Sequence, residues 1–200
     1  MSEASALGWG SSTQQVLDAF PAECKKLEAS CVIVTGCNTG IGVPTALALA
    51  TTGARIVFAC RSRAKALAAI DGVVEAGKGA VAREKLSFLP LDLSSMRSTR
   101  DFVEAFLESQ ARNGWGPLSL LVCNAGIFNT SGTFEQTGDG FEKAFQVNFL
   151  SNVVLIKGLI PALRAGISAG QTGRVVLVSS DSHFGPLNTR DVQNRDAVLN

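Results

Sequence analysis

No tyrosine occurs in these 200 residues, and there is a single histidine beside two tryptophans and two methionines. Any acid–base step carried by a phenol is therefore excluded for the side chains of this sequence, and imidazole chemistry rests on His183 alone. Cysteine appears five times, at Cys24, Cys31, Cys37, Cys60 and Cys123. The count is odd, the positions are scattered and no C-x-x-C pair is present, which argues against a disulfide framework and against a zinc cluster, so no metal site is expected. Net charge is also nearly absent, with 18 basic against 17 acidic residues, so no general attraction to nucleic acid or to acidic membranes arises. No uncharged apolar stretch reaches the roughly 18 residues that suggest a membrane span. The opening residues MSEASALGWGSSTQQ lack a basic region followed by an apolar run. A cytoplasmic protein with reduced thiols is the expectation.

What is present is an ordinary globular composition, 46% hydrophobic and 18% charged with 20 glycines. A chain of this size buries roughly 70% of the surface its unfolded form exposes, enough for a core without staples. Residues 1–30 read as a partly helical N-terminal extension, with Val16, Leu17, Phe20 and Leu27 spaced by polar positions and interrupted by Pro21. From residue 31 to 200 a single domain is expected, in which short β-branched runs alternate with helical patterns. CVIVTG, ARIVFAC, KLSFLPLD, LSLLVCNAG and GRVVLVSS read as strands. VPTALALATTG, AKALAAIDGVVEA and STRDFVEAFLESQ read as helices, and residues 127–138 as a loop. A further helix carries Phe141, Phe145, Phe149 and Val153 at steps of four, a stripe expected to face the sheet. Since every strand is followed by a crossover, the fold class is α/β with a doubly wound parallel sheet.

The strongest local signal is Thr35-Gly36-Cys37-Asn38-Thr39-Gly40-Ile41-Gly42 at a strand-to-helix turn. Glycines there let the backbone turn tightly and approach a pyrophosphate, which the amides and the positive end of the helix beginning near Ile41 can hold. At the end of the second strand stands Arg61, where an enzyme using NAD would usually carry an acidic residue for the ribose hydroxyl. A guanidinium can bind a 2′-phosphate through two parallel hydrogen bonds, so Arg61 favours NADP over NAD, with Arg63 as a helper. Asp92, after the third strand and before Leu93-Ser94-Ser95, is either a turn or N-cap neighbour or a contact to adenine together with Leu93.

The spacing G-x-x-x-G-x-G with Thr35 in front resembles the glycine motif of the short-chain dehydrogenase/reductase family. Four further motifs resemble that family in its own order: Asp92 in LPLDLS, Asn124-Ala125-Gly126, Asn148 in VNFLSN, and Ser180 in GRVVLVSS. The resemblance runs from Ser30 to His183. Within the family, ACR at residues 59–61 and VSSDSH at residues 178–183 look most like the retinol-dehydrogenase-type branch. The resemblance implies an oxidoreductase that interconverts an alcohol and a carbonyl by hydride transfer with NADP(H), on a small and lipophilic or bulky substrate. It implies that Ser180 hydrogen-bonds the substrate oxygen and that Asn148, expected to reach inward beside the phenylalanine stripe, anchors a proton-relaying water. It further implies that Asn124-Ala125-Gly126 lets the backbone lie against the cofactor while the asparagine ties neighbouring strands together. His183 matches a frequent position of the branch and reads as a solvated loop histidine.

The sequence departs from the family where the chemistry is heaviest. Members use a Tyr-x-x-x-Lys pair as proton donor and ribose holder, and no tyrosine is present here. Residues 181–200 resemble the insert that precedes that pair, so the chain reads as C-terminally incomplete, and a sheet left there would keep apolar surface and an edge uncovered. The alternative reading is a dinucleotide-binding or partner-binding module without catalysis. The sequence specifies neither the substrate nor an oligomeric state.

Overall fold

The computed structural model describes residues 7–128, 133–180 and 191. Five parallel strands form one sheet in the order β3-β2-β1-β4-β5, with β1 Cys31–Thr35, β2 Arg55–Cys60, β3 Leu86–Pro90, β4 Leu118–Cys123 and β5 Arg174–Leu177. Helices α3 Gly42–Thr51, α4 Arg63–Ala76 and α5 Met96–Arg112 make the first three crossovers. The fourth runs through α6 Lys143–Phe145, a π turn Gln146–Leu150 and α7 Ser151–Ser168. Helices α1 Thr13–Ala19 and α2 Pro21–Leu27 precede the sheet. Pro21 starts a helix here, because a proline at the first helical position loses no hydrogen bond. Ser12 and Gln15 close a reciprocal capping box on α1.

All five residues of β1 are buried, which is why its sequence reads as an unbroken apolar run. Side-chain alternation divides the core in two. Val32, Val34, Ile56 and Phe58 face Ala46, Ala50, Ala66, Ile70 and Val73 of α3 and α4. Ile33, Val57 and Leu121 face Phe102 and Phe106 of α5 and Leu155 and Leu159 of α7. Full burial of each such large side chain contributes about 1.5–3 kcal/mol relative to exposure.

The phenylalanine stripe does not face the sheet. Phe149 is 57% exposed and Phe141 lies ahead of the helix, next to the isolated bridge between Gln136 and Glu142. The buried face is Val147, Ser151, Leu155, Leu159, Ala162 and Leu163. The buried face also runs at steps of four, from Val147 through Ser151, Leu155 and Leu159 to Leu163, but it is offset by two residues from the stripe, about 200° around the helix, so the phenylalanines mark the opposite side. Phe145 and Phe149 instead pack on each other, with ring centroids 5.5 Å apart.

The helical run Lys143–Ser168 is, by length and composition, apolar enough to cross a membrane, with a mean hydropathy of 1.4 in its most apolar window. Its inner face belongs to the core with β4 and α5, and Ile160 and Ile167 remain exposed on the other side. β5 is exposed along its whole length.

Candidate functional site

The strand order reverses between β1 and β4, and at such a point the two flanking crossovers leave on opposite faces, opening a crevice at the carboxyl ends of the strands. A cleft of about 460 Å³ lies there. Its lining comes from the segments after β1, β2, β3 and β4: Gly36 and Asn38–Ile41, then Arg61, then Asp92 and Leu93, then Asn124–Gly126. Eleven of the thirteen cofactor candidates named from the sequence thus share one wall-to-wall cavity. Thr35 and Gly42 are not among the lining residues.

Thr35 is fully buried, and its Oγ1 accepts from the amides of Asn124 and Ala125 at 3.0 and 2.9 Å. The Asn124 side chain returns the link, donating to the carbonyls of Thr35 and Gly36 at 3.0 and 3.2 Å. Thr35 therefore welds the ends of β1 and β4 and shapes the cleft from behind. Gly36 has φ +64°, and a Cβ there would stand 2.8 Å from Ala125 Cα, so this turn accepts only glycine. Gly40 also has positive φ, +57°, but a Cβ built on it meets no protein atom within 4 Å. That open space faces the start of α3, whose N-cap, Ile41, supplies no side-chain hydrogen bond. Amides at an uncapped helix start are unmet donors beside the positive end of the helix dipole. Asn124 Oδ1 is buried and has no partner among the described residues. An open glycine and unmet amides fit a pyrophosphate, whereas the Asn124 oxygen calls for a donor such as a hydroxyl and not for an anion.

At the far end, Arg61 is exposed and makes no ion pair among the described residues. Arg63 does not line the cleft, whereas Lys65 does. Ser62 caps α4, its Oγ accepting from the Lys65 amide, so the first turn of the helix brings Lys65 to the side of Arg61. No helical spacing points to Lys65, because Arg61 lies ahead of the helix that carries it. Asp92 adopts the turn arrangement, with Oδ1 accepting from the Ser94 amide at 2.9 Å and the Ser94 hydroxyl at 2.6 Å, while it also lines the cleft. Leu93 is 5% exposed and supplies apolar floor.

Asn148 does not reach inward. It is exposed on the π turn, and its side-chain amide makes a reciprocal pair with the Ile127 backbone, each bond 2.8 Å long. The π turn frees carbonyls from the helical ladder, and Asn152 meets that of Asn148 at 2.9 Å. Ser180 lies past the end of β5 and is exposed. β5 pairs with β4 so that Leu177 stands beside Cys123, and the Val178 amide donates to the Cys123 carbonyl at 3.1 Å. Ser180 follows three residues after the last paired position, at the end of the sheet from which the Asn124–Gly126 segment also leaves. His183 lies outside the described residues. Among the described residues no group of acidic, histidine and cysteine side chains is placed to hold a metal.

Two features of the site had no sequence signal. Cys37 and Cys60, 23 residues apart, place their sulfurs 3.9 Å from each other beneath the glycine loop. Asp139 Oδ2 accepts from the Met96 amide at 2.7 Å and from Gln146 Nε2 at 2.6 Å, tying the loop before α6 to the start of α5. The Met96 amide, and then the Gln146 side chain, hold the Asp139 carboxyl below the usual carboxylate value.

Comparison with known proteins adds the lineage. The family model described as short chain dehydrogenase matches residues 30–190. The chain is 39% identical over 159 residues to the WW domain-containing oxidoreductase of Gallus gallus, covering 80% of this chain and 35% of that protein. It is 39% identical over 166 residues to the polyprenol dehydrogenase of Mus musculus, covering 82% and 46% respectively. Among solved structures, the Pseudomonas aeruginosa RhlG/NADP active-site complex is similar with a TM-score of 0.64 at 27% identity, covering 88% of this chain and 64% of that one. The chain therefore spans between about a third and a half of the length of these curated relatives.

Proposed function

Because the chain belongs to the short-chain dehydrogenase family, we propose that it is the dinucleotide-binding part of an oxidoreductase that interconverts an alcohol and a carbonyl with NADP(H). The observation that carries this reading is the single cleft lined by the open Gly40 turn, the uncapped start of α3 and the cations Arg61 and Lys65. The likeness to a structure solved with NADP supports the same cofactor. A bound nicotinamide supplies or accepts the hydride.

The chain's own residues bind and orient. Amides from Asn38 to Gly42 hold the pyrophosphate, with charge compensation from α3. Arg61, with Lys65, holds the 2′-phosphate, and Asp92 and Leu93 bracket the adenine. Asn124, Ala125 and Gly126 form the wall along the ribose. Ser180 fixes the substrate oxygen by a hydrogen bond, and Asn148 holds the backbone at Ile127 and a proton-relaying water beside it. Ile127 is 39% and Phe128 77% exposed at the end of the Asn124–Gly126 segment. This apolar rim suits a lipophilic alcohol or carbonyl, and the name of the polyprenol dehydrogenase relative supports that class. With no tyrosine in the sequence, the proton donor to the substrate oxygen is not a phenol of these 200 residues. That absence also favours a second reading, a dinucleotide-binding module without turnover.

Titration of the purified chain with NADPH and NADH, followed by nicotinamide fluorescence, tests the binding claim. NADPH is expected to bind at least about tenfold more tightly, and no binding of either cofactor sinks the proposal. Aldehydes and ketones added to the NADPH complex separate the two readings, because oxidation of the cofactor requires a catalytic chain and stable absorbance a binding module.

A further inference from the structure

Cys37 sits inside the glycine loop and Cys60 ends β2, immediately before Arg61. Their side chains, 0% and 2% exposed, meet under the loop with sulfurs 3.9 Å apart. Cys60 also belongs to the lining of the cleft. Two thiols in contact, one of them at the floor of an open cavity, form a pair that a small oxidant can join. We propose that Cys37 and Cys60 are a thiol–disulfide modification site, closed by hydrogen peroxide or another small hydroperoxide entering the cleft, and that closure switches off dinucleotide binding.

The chemistry balances without further reactants. The Cys60 thiolate attacks the peroxide and breaks its O–O bond, so the sulfur becomes a sulfenic acid while the departing hydroxide takes a proton and leaves as water. Cys37, giving up its proton, then attacks the Cys60 sulfur. The S–S bond forms, the S–O bond breaks and a second water leaves, so two thiols are oxidised and one peroxide is reduced. Burial decides the class of oxidant, because Cys60 lines the cleft with only 2% of its surface exposed, which excludes a bulky disulfide and leaves small hydroperoxides.

Selectivity among the five cysteines follows from their surroundings. Its hydrogen-bond contact with Cys37 holds Cys60 below the ordinary thiol value, against the opposing effect of burial, and the Cys37, Gly36 and Asn38 backbones lower it further. Burial pushes Cys31 and Cys123 up to about 12 and neither has a sulfur partner among the described residues, whereas Cys37, also raised by burial, keeps its proton until the adjoining Cys60 sulfur is oxidised and reacts second because it is already in contact. Cys24, at the N-terminal extension, is also raised.

The effect on the site is geometric. A disulfide brings the sulfurs from 3.9 Å to about 2.05 Å. The Cys37 sulfur must leave the Val34 carbonyl, 3.1 Å away, and draw the loop with it. On one side that loop already touches Ala125 with no room to spare at Gly36. On the other, β2 carries Arg61. Closure therefore displaces the amides that face the pyrophosphate relative to the cation that faces the 2′-phosphate. A bound dinucleotide covers Cys60 and protects the pair. The loss of binding rests on the cofactor reading above, whereas the disulfide itself does not.

The test treats the whole reduced chain, without cofactor, with a small excess of hydrogen peroxide, then alkylates, digests with trypsin and measures masses. Cleavage after Arg55 separates the two cysteines, so a peptide 27–55 joined to 56–61, lighter by two hydrogens, with the link placed at Cys37 rather than Cys31 by fragmentation, is expected. Preloading with NADPH suppresses it. The oxidised chain binds NADPH at least about tenfold more weakly, and dithiothreitol restores the affinity. Absence of the Cys37–Cys60 link, or a link that leaves affinity unchanged, overturns the proposal. Should the reduced chain bind no dinucleotide, the cofactor reading fails by that titration alone, and the mass measurement still decides whether the disulfide exists.

Discussion

On the proposed reading Arg61, just ahead of α4, is a planar fork for a phosphate, and Lys65, in the first turn of that helix, is a point charge beside it. The difference predicts graded effects. Arg61→Ala removes a charge-assisted hydrogen-bonding pair worth about 1.5–3 kcal/mol, so NADPH affinity should fall by roughly ten- to a hundredfold. NADH, which lacks the 2′-phosphate, should lose less than about twofold by the same argument. Lys65→Ala should weaken NADPH by a smaller factor. Paired titrations of both cofactors against each variant check this, and equal losses for NADPH and NADH would remove Arg61 from the phosphate site. At this scale the sequence is informative where the backbone accepts one residue type, as at Gly36, whose positive φ and contact with Ala125 leave no place for a side chain. It is silent where the job depends on a distant neighbour. Nothing in the spacing of Cys37 and Cys60 announces that parallel pairing of β1 and β2 brings their ends together, with Thr35 opposite Ala59.

The helical elements show a second limit of local patterns. The five strands are legible because each is a short apolar run buried on both faces or bounded by turn residues, and the order follows from the crossover rule. The fourth crossover misleads because two rows at steps of four run along it, and the phenylalanine row is the more apolar to the eye while the buried one, Val147 to Leu163, contains Ser151 and lies two residues out of phase. The π turn Gln146–Leu150 is held from outside by Asp139 through Gln146, and the same carboxylate caps α5 at Met96. Since the folded carboxyl titrates below its unfolded value, its contribution is fully present above the ordinary carboxylate pKa and is lost as pH falls through the lower folded one. Asp139→Ala should therefore lower the melting temperature at pH 6 by about 2–4 °C, the equivalent of one lost helix-cap bond in a chain of this size. Melting curves of both proteins from pH 6 to pH 3 check the sign. The gap should narrow toward pH 3, and a constant or widening gap would mean that Asp139 acts through something other than its charge.

For the whole molecule, the sheet is well covered at β1, β2 and β4 and bare at β5. Val175, Val176, Leu177 and Val178 are 37–60% exposed, an apolar run at the end of the strand order. Ile160 and Ile167 on the outer side of α7 add to the apolar surface of this half. An exposed β-branched edge pairs with other edges and attracts apolar probes, so the 200-residue chain should bind anilinonaphthalene sulfonate and self-associate as its concentration rises. Leu177, the most exposed of the run, separates surface from stability. Leu177→Lys puts a charge on the strand and removes little buried area, so the melting temperature should move by no more than about 2 °C, as for substitutions costing under about 0.5 kcal/mol. Dye fluorescence and the aggregated fraction at a given concentration should both drop. If they stay unchanged while the variant folds normally, β5 is already covered in solution, and the apolar surface that matters lies on α7.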